Sequence, residues 1–169
     1  MKWKVNWEGE VAADVAATPA QVWAVLSDPT RVGEWSHECH TVTWVDGHSR
    51  AEVGARFRGN NRVGSFRWSR TCTITELEPE RLLVYRTSGG VPPDSTEWRF
   101  RLEPVSGGTR ITQSFRILKF PRLMELITVV FNPPHRDRAD ALRGDLAKLG
   151  QISETSSAPP STRRSPCVE

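Results

Sequence analysis

The segment TEWRFRLEPVSGGTRITQSFRI, residues 96–117, decides the fold because apolar and polar side chains alternate on both sides of one turn. Before the turn at residues 104–108, Trp98, Phe100 and Leu102 point to one face while charged residues point to the other. Successive side chains of a strand point to opposite faces, so this pattern is typical of an antiparallel sheet with one wet face. We therefore predict a β-hairpin whose inner face is apolar.

The same period of two, followed outward in both directions, predicts seven strands in all. They cover residues 1–17, 41–45, 55–63, 67–77, 82–87, 96–103 and 109–117. Short connections join the later strands, among them the tight turn Gly64-Ser65. Strands joined in this way are antiparallel neighbours.

Two short helices are predicted between the first and second strands. Thr18 can cap a helix, Pro19 suits the first helical position, and Gln21 completes a capping box. The second short helix begins at Asp28 or two residues later and ends by Trp35.

A long helix is predicted at the C-terminal end of the domain. Residues 121–131 and 139–149 carry apolar side chains at helical spacing, with the prolines of residues 132–134 between them and Gly150 as the predicted end. The inner face of the sheet needs cover, and only this helix is long enough to supply it. We predict an α+β fold, a curved seven-stranded antiparallel sheet around a long C-terminal helix.

Composition places the chain among ordinary folded proteins. Its 169 residues are 37% hydrophobic and 25% charged, which fits one domain over residues 1–152. Residues 153–169 are rich in Ser, Thr, Pro and Arg, so we predict a disordered tail. The net charge of +3 is spread along the chain, and we expect no nucleic-acid partner.

The cellular setting follows from the cysteines and the apolar runs. Three widely spaced cysteines, no secretory signal and no apolar run of about 18 residues predict a reduced cytoplasmic protein without a transmembrane segment.

Polar residues on the predicted inner face carry most of the functional information. Asn61, Arg70 and Gln113 fall among apolar neighbours, where burial without partners costs about 1–3 kcal/mol each. Either they form hydrogen bonds with one another and with nearby backbone in the core, or they face a cavity that holds water or a ligand. The seven tryptophans suit an aromatic-lined pocket better than a dense aliphatic core.

Four stretches of the chain resemble the START-like (SRPBCC) superfamily of polyketide cyclases, dehydrases and lipid-transport proteins, chiefly its bacterial members. They are ATPAQVWAVLSDPTRVGEWS (17–36), GARFRGNNRVGSFRWSRTCTITELEPERLLVYR (54–86), TEWRFRLEPVSGGTRITQS (96–114) and HRDRADALRGDLAKLG (135–150). The resemblance runs from about Trp7 to Ile152. The residues that match the family pattern are Trp35, Phe57, Asn61, Arg62, Gly64 and Trp68.

The resemblance implies a helix-grip fold with a deep hydrophobic cavity between the sheet and the long helix. Known members bind lipids, sterols, polyketides or hormones, and a minority catalyse cyclisation or dehydration. We therefore expect a small hydrophobic ligand and no cofactor, with a homodimer as an open alternative. The expected ligand-binding residues are Trp35, Phe57, Asn61, Trp68, Arg70, Cys72, Trp98, Phe100, Gln113, Phe115, Met124, Ile127 and Phe131.

The second functional hypothesis is a cyclase or dehydratase. In such an enzyme Asn61, Arg70 or Gln113 would stabilise a developing enolate, as preorganised hydrogen-bond donors do. The family has no universal catalytic set to transfer, so fold alone leaves the question of catalysis open.

The segment His37-Glu38-Cys39-His40 is the one cluster with metal-ligand chemistry. At most two of its side chains would share a face of a strand, and no second cluster supplies the remaining ligands of a zinc site, so we predict no metal. We predict a loop at the surface or at the pocket edge. A general acid or base role for His37 or His40 is the alternative.

Four arginines fall on the outer faces of two predicted partner strands, namely Arg56, Arg58, Arg62 and Arg67. A solvated basic face is one interpretation, and contact with phosphate or acidic lipid is the other. A third functional hypothesis uses this face as the interface of a regulatory or co-chaperone module.

Overall fold

The structure is a computed structural model that describes residues 7–89, 93–119 and 139–156. The described elements are β1 (Glu8–Val15), α1 (Pro19–Leu26), a 3₁₀ helix (Pro29–Glu34), β2 (Cys39–Trp44), β3 (Arg56–Val63), β4 (Phe66–Glu78), β5 (Leu82–Gly89), β6 (Asp94–Val105), β7 (Gly108–Lys119) and α2 (Ala139–Thr155). Neither described α-helix is long and apolar enough to cross a bilayer.

The seven strands form one sheet in the order β1-β7-β6-β5-β4-β3-β2, with every neighbouring pair antiparallel. The predicted fold class is confirmed, and β2 to β7 lie within two residues of their predicted bounds. The turn between β3 and β4 has two residues, with Val63 opposite Phe66 and Gly64 at φ 60°. Glycine adopts this left-handed conformation without steric cost, which explains the tight turn.

The start of α1 confirms the predicted capping box. The Thr18 backbone N–H donates to Gln21 Oε1 at 2.9 Å, and the Gln21 backbone N–H donates to Thr18 Oγ1 at 3.3 Å. Both bonds satisfy amide groups that have no partner inside the helix.

The prediction that the C-terminal helix ends at Gly150 is wrong, because α2 continues to Thr155. A Cβ atom at position 150 would lie 2.8 Å from the Cβ of Val15. Glycine therefore allows close packing of α2 on β1 instead of ending the helix. Ser153, which was predicted to begin the tail, is helical and buried, and its hydroxyl donates to the Leu149 carbonyl at 2.6 Å.

The core lies between the sheet and the helices, where α2 packs on β1 and α1. Its most buried members come from α1, from α2 and from the inner faces of the strands. They include Val22, Val25, Ile74, Phe100, Leu102, Ile111, Leu142, Leu146 and Leu149.

Candidate functional site

The inner face of the sheet divides into two regions that differ in cover. The closed region consists of buried inner-face side chains, among them Phe57, Cys72, Phe100, Leu102, Ile111 and Gln113. The open region consists of six partly exposed inner-face side chains on β3 to β7, namely Asn61, Trp68, Arg70, Thr87, Trp98 and Phe115. Both regions have the inward alternation that the sequence predicts.

Aromatic rings connect the closed region. Tyr85, which is only partly buried by surface area, borders the closed region, with its ring centroid 5.4 Å from that of Phe57 and 6.3 Å from that of Phe100. Trp35 meets Phe100 edge-on at 6.0 Å. Desolvation of the Tyr85 phenol raises its pKa well above the ordinary value. These contacts make the closed region a packed core.

Two buried polar atoms of the closed region have no hydrogen-bond partner within the described residues. They are Oε1 of Gln113 and Nε1 of Trp35. The Trp35 ring lies against Phe100, and Phe100 is the cross-strand neighbour of Gln113. A buried polar atom without a partner costs about 1–3 kcal/mol. Gln113 thus lies in the core, as the alternation along β7 predicts. No described side chain forms a hydrogen bond that would offset the cost of burying its Oε1 atom.

The open region combines aromatic surface with one ion pair. Trp98 and Phe115 lie on neighbouring strands with ring centroids 5.5 Å apart. Arg70 donates to Asp94 Oδ2 at 2.8 Å, while Asp94 Oδ1 is buried and finds no partner among the described atoms. The Arg70 charge is therefore neutralised from within the chain, and the region combines three aromatic side chains with three polar ones.

The structure places the predicted site residues in two groups. Trp35, Phe57, Cys72, Phe100 and Gln113 are buried in the core, whereas Asn61, Trp68, Arg70, Trp98 and Phe115 lie in the open region. Met124, Ile127 and Phe131 lie outside the described residues.

A separate cleft of about 560 Å³ lies beside α1 and the 3₁₀ helix. Its lining is Trp23, Ser27, Asp28, Thr30, Trp44, Ser49, Arg50, Ala51, Leu77 and Pro79. Its volume is within the range of small-molecule sites, about 300–1,000 Å³. No sequence pattern indicates this cleft, because its walls come from segments more than fifty residues apart that share no motif.

The sequence analysis also missed the partner of His37. The Nδ1 atom of His37 lies 2.7 Å from Oδ2 of Asp145 on α2, and the His37 backbone N–H donates to Asp145 Oδ1 at 2.9 Å. Asp145 is 4% exposed, while about a third of the His37 side chain is exposed. A carboxylate at Nδ1 orients the imidazole so that Nε2 can exchange a proton.

Metal binding has no support within residues 7–89, 93–119 and 139–156, which contain no group of three His, Cys, Asp or Glu side chains suited to an ion. Burial raises the pKa of the Cys39 thiol to about 11 and that of Cys72 to about 12. Both therefore remain protonated at neutral pH, and a thiol is a poor metal ligand and nucleophile.

The curved sheet and its C-terminal helix define a helix-grip protein. The chain belongs to the family described as polyketide cyclase / dehydrase and lipid transport, whose model matches residues 6–146. None of the curated proteins matches the chain.

Solved structures from several sources share this fold. Protein MLL2253 from Mesorhizobium loti has a TM-score of 0.61 at 17% identity, over 89% of this chain and 98% of that one. Protein CV1439 from Chromobacterium violaceum has a TM-score of 0.63 at 14% identity, over 89% and 99%. Ara h 8.0201 has a TM-score of 0.61 at 13% identity, over 88% and 98%. At these identities the likeness is one of fold alone.

Proposed function

We propose that the protein binds a small hydrophobic molecule, lipid-like or polyketide-like, against the open region of the sheet. One observation carries this proposal: Trp98 and Phe115 point to the apolar face of the sheet, yet both residues are only partly buried. The inner face of a sheet normally buries such rings, and partly exposed aromatic surface in a concave setting is typical of ligand sites.

The energetics support a ligand of this class. A large aromatic side chain can bury about 150–250 Å², and Trp98 and Phe115 each keep no more than about a third of their surface exposed, so the two together leave at most about 150 Å² for a ligand to cover. Covering that area contributes at most about 4 kcal/mol. The Arg70–Asp94 pair lies at one side of the open region, so a ligand with a single polar end fits better than a pure hydrocarbon.

Native mass spectrometry of the protein purified from its own host, with solvent extraction, tests the proposal. We expect a bound apolar molecule whose mass is lost on denaturation, and Trp98→Ala to reduce its occupancy at least tenfold. Trp44→Ala is the matched control, because it removes the same ring from the separate cleft. The same spectra count subunits and so test the homodimer alternative.

Three outcomes decide between sites. Loss of the ligand in Trp98→Ala alone supports the open region. Loss in Trp44→Ala alone moves the ligand to the cleft beside α1 and overturns the proposed site. No apolar ligand, even after incubation with a mixed lipid extract, overturns the function itself.

Catalysis is the second candidate function, and the His37–Asp145 pair favours it. The buried carboxylate of Asp145 at Nδ1 orients the ring as a general base requires, and the side chain of His37 is about a third exposed, with Oε1 of Glu38 4.0 Å from Nε2. In a cyclisation, Nε2 would take a proton from a methylene between two carbonyls, and the resulting enolate carbon would attack another carbonyl of the same chain. Loss of water from that aldol would complete a dehydration.

A thioester-bound poly-β-ketone is the substrate that tests this candidate. We expect a product 18 mass units lighter than the substrate, with turnover reduced at least a hundredfold in His37→Gln and in Asp145→Asn while the probe still binds. His40→Gln is the control, because the His40 ring contacts the Arg62 carbonyl and no carboxylate among the described residues. Equal turnover in all four proteins would exclude His37 as the base.

A further inference from the structure

The hairpin of β3 and β4 projects beyond the neighbouring strand β5. The last pair between β4 and β5 is Thr71 with Ser88, whereas the pairing of β3 with β4 continues to Val63 and Phe66. We call residues 60–69 the β3–β4 arm. Among the described residues of β5, only Gly89 approaches the arm past Thr71, at Ser69 and Arg70, and β2 accompanies the other edge only as far as Arg62. The tip, residues 63–68, therefore extends beyond the described parts of both neighbouring strands.

The tip of the β3–β4 arm exposes an aromatic side chain. Phe66 is 63% exposed, and its ring lies 5.3 Å from that of Trp68. Both side chains are on the inner-face side of the arm, on either side of Arg67 in the sequence. An exposed phenylalanine at a protruding tip loses the hydrophobic stabilisation that burial would provide, which indicates a partner that covers it.

The opposite side of the tip carries two arginines that face each other. Arg62 and Arg67 are direct cross-strand partners, and like charges in that relation destabilise a sheet. Neither forms an ion pair with any described carboxylate. Four other outer-face arginines are neutralised by a carboxylate: Arg56 by Asp46, Arg86 by Glu97, Arg99 by Glu76 and Arg110 by Asp14. Arg58 and Arg101 also have no ion pair among the described residues, but neither faces another arginine across the sheet.

We propose that the β3–β4 arm docks on an anionic lipid bilayer. Phe66 enters the boundary between headgroups and acyl chains, Trp68 lies at the interface where its ring is favoured, and Arg62 and Arg67 bind lipid phosphates. A nucleic acid fits less well, because the paired arginines of the tip lie beside an exposed phenylalanine and the chain carries a net charge of only +3.

Docking of this kind does not depend on a ligand in the open region. Trp68 belongs both to the arm and to the open region, so a docked arm places that region beside the bilayer. If the hydrophobic-ligand proposal fails, binding of the empty protein to vesicles still tests the arm.

Vesicle flotation of the full chain tests the inference, with vesicles of phosphatidylcholine alone or with 30% phosphatidylglycerol at about 0.1 M salt. We expect binding to the anionic vesicles only. Arg62→Gln combined with Arg67→Gln should reduce the partition coefficient about thirtyfold, roughly fivefold for each arginine. Phe66→Ser should reduce it about tenfold.

Matched controls remove surface groups away from the arm. Val53→Ser replaces another apolar residue, 64% exposed, and Arg101→Gln replaces an exposed arginine on β6, and neither should change partition by more than twofold. Thermal unfolding confirms that each variant folds; an arginine variant that does not is replaced by Arg62→Gln alone.

Three results would overturn the inference. The first is a wild-type protein that floats with neither vesicle. The second is equal loss in the control variants. The third combines two findings: the double arginine variant loses binding to an oligonucleotide that the wild type binds, and Phe66→Ser does not change binding to vesicles. That result would identify a nucleic acid as the partner.

Discussion

Phe100 and Trp98 are two residues apart on β6 and point to the same face of the sheet, yet their surroundings differ. Phe100 is fully buried beneath Trp35, whereas Trp98 keeps part of its ring exposed beside Phe115. Strand alternation assigns both to the inside and cannot separate them. What separates core from candidate pocket is the element that lies above each side chain.

The cover of the closed region comes from distant parts of the chain. Trp35 follows the 3₁₀ helix, and α2 reaches β1 through the close approach of Gly150 to Val15. Trp35 and Phe100 are 65 positions apart in the sequence. Val15 and Gly150 are 135 positions apart and lie near opposite ends of the domain. The boundary between the closed and open regions is therefore a tertiary property.

Replacing Phe100 with Ala should have the largest effect on stability. We expect a loss of about 3–5 kcal/mol in the free energy of unfolding, because the cavity forms in a packed region. Trp98→Ala should cost less than about 2 kcal/mol, since part of its ring is already exposed. Urea denaturation measures both, and equal losses would mean that the open region is packed as tightly as the closed one.

Cys72 in the closed region and Cys39 at the start of β2 should differ in reactivity. With pKa values of about 11 for Cys39 and about 12 for Cys72, the thiolate fractions at pH 8 fall about a hundredfold and about a thousandfold below that of a free thiol. We expect iodoacetamide to label both slowly, Cys72 more slowly, in a Cys167→Ser background. Rapid labelling of Cys72 would show that the closed region opens readily.

The same two thiols give a pH dependence of stability. Their pKa is higher in the folded than in the unfolded chain, so the folded state binds protons more tightly. Their contribution is complete below about pH 9 and is lost as pH rises through about 11 to 12. Cys72→Val should flatten this alkaline decline in urea denaturation.

The contact of α2 with β1 predicts an asymmetry between two glycines of one helix. Gly150→Ala should cost about 1–3 kcal/mol, because its Cβ would overlap Val15. Gly144→Ala meets nothing within 4 Å and should gain about 0.5–1 kcal/mol from helix propensity. If thermal unfolding shows that both variants are more stable than the wild type, α2 can move away from β1 at little cost.

Gln113 should give the smallest effect on stability. Gln113→Leu keeps the approximate volume and removes an acceptor that has no described partner, so we expect a change within about 1 kcal/mol in either direction. A loss above about 2 kcal/mol in urea denaturation would indicate that Gln113 binds a buried water or another partner in solution.

Local patterns predicted most of the architecture. Alternation located the seven strands, and the Thr18–Gln21 pair located the start of α1, because both depend on neighbours in the chain. Gly150 misled the prediction, since glycine ends many helices and only the packing on Val15 explains it here.

The candidate site was predicted only in part. The inner-face residues follow from alternation, but their division into the closed and open regions does not. The His37–Asp145 contact joins positions 108 residues apart, and no local pattern connects them. The neutralisation of Arg70 by Asp94 was equally invisible, because each residue lies on a different strand.

By itself, the sequence determined the strands, their inward faces, the antiparallel neighbours that short turns join and the start of α1, because side-chain period, turns and capping act over a few residues. The tertiary structure alone decided which inward side chains are core, which arginines stay without a carboxylate, and which carboxylate orients His37. Those outcomes depend on which distant segments pack over a side chain and which distant carboxylates lie beside it. Both are properties of the assembled fold.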